Sequence, residues 1–180
     1  MSLATVIEVP ENKLAHALFG TTRFAWLWLI LRVYLGWSWF QAGWGKVGNP
    51  AWMETGAALQ GYWTRAVQVE PSAPIAFDWY RGFIQFLLDG GHYTWFAPLV
   101  VWGEILVGLA LILGAFTGIA AFFGGFMNFN FMMAGTASTN PLLYTIAILL
   151  MLAWKVAGYY GLDRFLLPRI GTPWGKVSTR

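Results

Sequence analysis

Two ionisable side chains stand inside runs that are otherwise apolar. Arg32 lies in WLILRVYLGWSWFQAGWGK (28–46) and Glu104 in VVWGEILVGLALILG (100–114). A lone charge in such a run is costly in an apolar medium, and intramembrane ionisable residues usually mark function. Arg32, Gly36, Trp39, Gly43 and Lys46 are spaced 4, 3, 4 and 3 apart, so they share one helical face. The two glycines on that face let a second helix come close. Arg32 falls about 12 Å from the inner end of its run and Glu104 about 10 Å from the outer end of its own. Across an apolar core about 30 Å thick, extended side chains could then close the gap, and an Arg32–Glu104 pair is the expectation. Two readings follow. The pair fixes the register of two helices, or it lines a cavity where Arg32 holds a polar ligand head and Glu104 handles a proton.

Other candidates gather around these two. Asn128 and Asn130 are about 200° apart on a helix; Asn128, one turn beyond Gly124, is the inward choice. Trp39, Trp44 and Trp102 suit the walls of an aromatic pocket. Lys46, Arg65, Arg81 and His92 are candidates to hold a small anion at the outer mouth. The absence of cysteine excludes disulfides, thiolate metal sites and Cys-ligated iron–sulfur clusters. Both histidines, His16 and His92, fall outside the apolar runs, so neither a metal site nor a bis-His haem is expected.

The elements that must position these residues are membrane helices. The chain has 58% apolar and 11% charged residues, with a mean hydropathy of +0.56, far from a soluble composition. Four spans are expected, at about 24–42, 97–115, 119–134 and 142–157. Together they make an all-α integral membrane four-helix bundle in a single domain covering residues 1–180. Tight turns at 114–118 and 135–141 join the last three spans. The outer loop, 43–96, contains an amphipathic helix at 75–91, with Ile75, Trp79, Phe83 and Phe86 on one face and Asp78, Arg81, Gln85 and Asp89 on the other, expected to lie at the outer surface or to fold back over the bundle mouth. Residues 52–67 have a weaker pattern that pairs with it, and 11–22 form a further helix on the inner surface.

Charge sets the orientation. Lys13 and Arg23 flank the first span, and Lys155, Arg164, Arg169, Lys176 and Arg180 follow the last. In the loop, Lys46, Arg65 and Arg81 face Glu54, Glu70, Asp78 and Asp89. Both termini are thus expected in the cytoplasm of a multi-pass inner (plasma) membrane protein. No cleaved signal peptide is expected, the first span serving as an anchor. The net charge of +3 is a topology signal and no nucleic-acid footprint.

These motifs resemble those of the DoxX/DoxD family of small four-span membrane proteins. The matching pieces are Arg32-x-x-x-Gly36-x-x-x-Phe40-x-x-Gly43-x-x-Lys46, Gly103-Glu104-x-x-x-Gly108 running to Gly114, and Gly-Tyr-Tyr-Gly-Leu-Asp at 158–163. The long loop leans toward the DoxD side, the membrane subunit of thiosulfate:quinone oxidoreductase. The resemblance implies Arg32, Lys46, Glu104 and Asp163 as the positions of interest, with Asp163 capping or pairing at the inner surface. It implies a quinone as electron acceptor, with electrons from a small sulfur anion or a partner subunit; Lys46, Trp39, Asn128 and Trp102 are the candidates read from the residues to bind the quinone or an anion. The partners are then the lipid bilayer and other complex subunits or copies of the same chain. An accessory subunit in a respiratory or photosynthetic complex is the alternative. A solute or proton conductor is a weaker one, because few polar residues line any path.

Overall fold

The computed structural model describes residues 10–69 and 72–170. Glu70, Lys176 and Arg180, counted above for orientation, lie outside the described residues. Helix is the only regular structure among the described ones. In chain order the elements are α1 (Lys13–Ala15, continued as a π-turn His16–Gly20), α2 (Ala25–Val47), α3 (Pro50–Met53), α4 (Ala57–Ala66), α5 (Asp78–Asp89), α6 (Tyr93–Leu113), α7 (Thr117–Met133), α8 (Asn140–Leu152) and α9 (Asp163–Ile170).

Local chemistry fixes most of the boundaries. The side chain of Asn12 accepts from the Leu14 N–H and opens α1. Thr21 is extended and its hydroxyl accepts from Arg23 N, which separates the amino-terminal helix from α2 with a bend of 65°. Asn49 caps α3, whose first residue is Pro50, a position where the missing N–H does no harm. Gly114 closes α6 with a left-handed φ of 68°, a conformation that glycine adopts without strain. α6 starts four residues before the expected 97, since Tyr93 and Trp95 prolong the helix beyond the purely aliphatic run. α8 stops at Leu152, short of the expected 157. Beyond it the chain turns, and at Gly158 it lies so close to Asp163 that a Cβ would overlap that carboxylate.

α2 packs on α6, α6 on α7, α7 on α8, and α8 back on α2. Trp28, Leu35, Trp39, Val107, Leu111, Ala121, Ala147 and Leu150 fill the space among them. A second cluster, with Leu59, Trp63, Ile75, Tyr80, Ile84 and Leu87 packed against Ala97 and Ala134, belongs to a cap. α4 and α5 pack on each other, as the two loop patterns predict, and cover the end where α6 begins and α7 finishes. The Tyr62 hydroxyl lies 2.9 Å from Thr136 Oγ1, and that of Tyr80 is 3.1 Å from both the carbonyl and the side-chain oxygen of Asn130. Burial pushes the Tyr80 phenol up to about 12.

Among the described residues α6 is the one continuous helix long and apolar enough to cross a membrane. The segments Lys13–Gly20 and Thr22–Val47 pass the same test together as a bent pair, and α8 is a shorter apolar helix.

Candidate functional site

Glycines set the register of α2 on α6. A Cβ at Gly36 would stand 2.9 Å from Gly108 O, one at Gly108 2.5 Å from Phe40 N, and one at Gly43 2.9 Å from Val101 O. The two backbones therefore touch, antiparallel, with Gly36 opposite Gly108 and Gly43 opposite Val101. In that register Arg32 faces the end of α6 near Gly114. Glu104 is ten residues from there, about 15 Å along the axis. The expected Arg32–Glu104 pair does not form, because the gap is about twice what the span-end estimate allowed.

Glu104 is paired instead with Lys46, whose Nζ lies 2.7 and 2.5 Å from the two carboxylate oxygens. The carboxylate is buried in the middle of α6, with 2% of its side chain exposed against 22% for Lys46. Lys46 is in the last turn of α2, and its Nζ is 5.0 Å from the ring of Trp52 in α3. The pair thus runs from the helical interior to the edge of the cap.

Arg32 serves a different structure. It is buried, and its guanidinium donates from Nη1 to the carbonyls of Leu111 and Ile112 and from Nη2 to that of Tyr160 at 3.1 Å. The first two are among the last carbonyls of α6, which have no partner within the helix and carry its negative end. Asp163 is the counterpart at the start of α7. It accepts from the N–H of Phe116 at 2.6 Å and of Thr117 at 2.9 Å, so the capping expected of it is present. Leu162 N and Asp163 N donate to the carbonyls of Leu113 and Gly114. A cation closes one helix, an anion opens the next, and the chain beyond α8 is tied across both.

Asn128 faces inward as anticipated and is wholly buried. Its Nδ2 donates to Asn140 Oδ1 at 2.8 Å, while Asn140 Nδ2 donates to Thr136 O. This order fixes both amides and leaves Asn128 Oδ1 as a buried acceptor without a partner among the described residues. Trp39 Nε1 is a buried donor in the same condition. The indole lies along α7, with Nε1 2.9 Å from where a Gly124 Cβ would be and its ring stacked on Phe131. Gly124, Asn128 and Phe131 follow one another at spacings of four and three on that face. Val107 also packs against Gly124. One turn toward the cap from this contact brings Glu104 on α6 and Asn128 on α7, so the two share a level.

The remaining candidates do not join them. Trp102 and Trp44 are exposed on outward faces, so neither walls an interior pocket. Arg65 is exposed on α4. Arg81 pairs with Asp78 at 2.6 Å and donates to Ile75 O. His92, past the far end of α5, accepts from Trp95 Nε1 at its Nδ1. The expected anion set at the mouth is thus dispersed: Lys46, Arg81 and His92 are held by separate local partners, and Arg65 stands exposed on α4. Sequence reasoning missed Trp52, on the short helix α3, and Asn140, at the first residue of α8, where no periodic signal marks them.

Lys46, Glu104, Trp39 and Asn128 all fall within residues 27–139, the stretch matched by the DoxX family model. The chain belongs to the DoxX family. That family is membrane-associated, in keeping with the apolar α6. The DoxX match takes in α2 through α7 together with Arg32 and ends just before α8, so Asp163 lies beyond it. Searches among curated proteins and among solved structures gave no significant match.

Proposed function

We propose that this DoxX chain is a four-span inner-membrane protein, with α2, α6, α7 and α8 as its spans, and a DoxD-like membrane subunit of a quinone-linked oxidoreductase. The observation that carries the reading is the Lys46–Glu104 pair. A carboxylate buried in the membrane-length apolar helix α6 holds a lysine that is partly open at the cap, with two polar groups that lack partners among the described residues close in level, Asn128 Oδ1 at its own and Trp39 Nε1 about one turn away. A quinone headgroup fits that donor set, since its oxygen would accept from Trp39 Nε1 and its reduced hydroxyl would donate to Asn128 Oδ1. When bound, it would supply a carrier that takes two electrons and two protons. Glu104 is the group that holds and passes a proton, and Lys46 sets its charge state and links it to the cap side. The electrons come from a small sulfur anion such as thiosulfate or from a partner subunit. Arg32, with its Nη atoms committed to carbonyls, is given a structural part.

A second reading, an accessory subunit in a larger membrane complex, is favoured by the ladder Trp37–Phe40–Trp44 on α2. Its rings stack at 5.9 and 5.7 Å, and both tryptophans are exposed. The test is quinone-reduction kinetics in membranes, normalised to folded, assembled protein. Glu104→Gln and the double change Lys46→Met, Glu104→Leu should each lower turnover by about a hundredfold or more. Full turnover in the folded double variant would remove the catalytic reading and leave the accessory one.

A further inference from the structure

The redox reading makes no use of α5, and this helix has three distinct sectors. Counting about 100° per residue from Trp79, Trp79, Phe83 and Phe86 centre at about 10°, Tyr80, Ile84 and Leu87 at about 110°, and Asp78, Gln85 and Asp89 at about 260°. The second sector is buried against the cap core, whereas the three aromatics of the first are exposed. The third is exposed as well and holds its polarity locally, through the Arg81–Asp78 ion pair and the Gln85–Asp89 hydrogen bond. A helix in water needs one apolar face; this one has two, about 100° apart, with the polar stripe nearly opposite their bisector. Such a helix meets three media.

The aromatic sector is also continuous with α6. Phe86 packs on His92 with ring centres 5.8 Å apart, and His92 on Trp95 at 6.0 Å, where the indole N–H also donates to the imidazole. From Trp95 the exposed residues of α6 are Leu99, Trp102, Leu106, Leu109 and Leu113, at alternating spacings of four and three. One apolar strip therefore runs from α5 around the Gly90–His92 corner and down the whole length of the membrane-length helix.

We infer that Trp79, Phe83 and Phe86 are inserted in the lipid boundary of the leaflet on the cap side. α5 then rests one flank on the protein and the other in the headgroup–acyl layer, with Asp78, Gln85 and Asp89 toward water. The occupant is bilayer lipid because the strip continues without interruption onto α6, whose outward face needs an apolar medium along its full length. This inference depends on the membrane setting of the family and is independent of any redox chemistry.

The chain has no cysteine, so single cysteines can be labelled without background. Trp79→Cys, Phe83→Cys, Phe86→Cys, Gln85→Cys and Leu106→Cys would each carry a nitroxide in nanodiscs of phosphatidylethanolamine and phosphatidylglycerol. Their collision rates would be compared between oxygen and a water-soluble nickel chelate. Positions 79, 83 and 86 should favour oxygen, as 106 does, and position 85 should favour the chelate. Chelate-favouring values at 79, 83 and 86 would put the strip in water and overturn the inference. Shielding from both reagents there would overturn it too, in favour of a second copy or a partner subunit. The unsubstituted protein gives an independent check that no label can disturb. A phospholipid with a photoreactive group near its headgroup should form adducts on residues 78–89, and adducts confined to α6 would refute the insertion.

Discussion

At the scale of single residues, the molecule separates two charges that its sequence invites one to join. Lys46 and Glu104 answer each other. Arg32 answers backbone carbonyls. Removing one member of a buried pair strands the other, at a cost of about 3–5 kcal/mol, whereas an apolar substitute for both is often tolerated. Lys46→Met should therefore lower thermal stability in detergent strongly, and Lys46→Met with Glu104→Leu should recover much of the loss. Arg32→Met should also destabilise, by taking the guanidinium from the Ile112 and Tyr160 carbonyls and leaving that of Leu111 only the Gly114 N–H. Glu104→Leu should give it no rescue, because groups this far apart act additively. Thermal unfolding of these four variants and of Glu104→Leu alone decides the matter: recovery of Arg32→Met by Glu104→Leu would mean that those two are partners after all.

At the scale of elements, the α2–α6 contact is a glycine contact, and its tolerance differs by position. Gly108→Ala would drive a methyl into the backbone of α2, and Gly36→Ala one into that of α6. Each should cost about 1–3 kcal/mol as overpacking. Gly45, in the same helix, has open space around its Cβ position. There the change to alanine should be neutral or stabilise by about 0.5–1 kcal/mol through helix propensity. Unfolding midpoints of the three variants measure this contrast. The glycine motif and the four apolar runs were legible in the sequence because periodicity records which face of a helix is used. The partner of Glu104 was not. Periodicity fixes direction around a helix but leaves the offset along a neighbour free, and here the offset is set by which glycine meets which backbone. The assignment of Arg32 needed Tyr160, a carbonyl donated by a turn with no apolar period to announce it. Trp102 was misplaced for a related reason: an aromatic residue one or two positions from a buried glutamate points about 100–200° away from it.

At the scale of the whole molecule, one end of the helical group carries the α3–α5 cap and the other carries the α6–α7 turn with Arg32 and Asp163. Among the described residues, Lys13 and Arg23 before α2 and Lys155, Arg164 and Arg169 after α8 lie toward the second end. If the four helices are spans, reporter fusions after Gly48 and after Asp89 should read as external and fusions after Ile170 as cytoplasmic. An internal reading from the cap would reverse the topology, and unlike readings at 48 and 89 would break it. The tie across the α6–α7 turn also orders events in time. Arg32 is made early, yet one of its three carbonyl partners belongs to Tyr160 and the turn beneath it is capped by Asp163. A ribosome delivers those residues more than a hundred and twenty positions later. Until then α2 holds a guanidinium only partly answered and α7 starts without its anion. The helical group is therefore closed from its carboxyl side, and chain synthesis must run past α8 before α2 can settle.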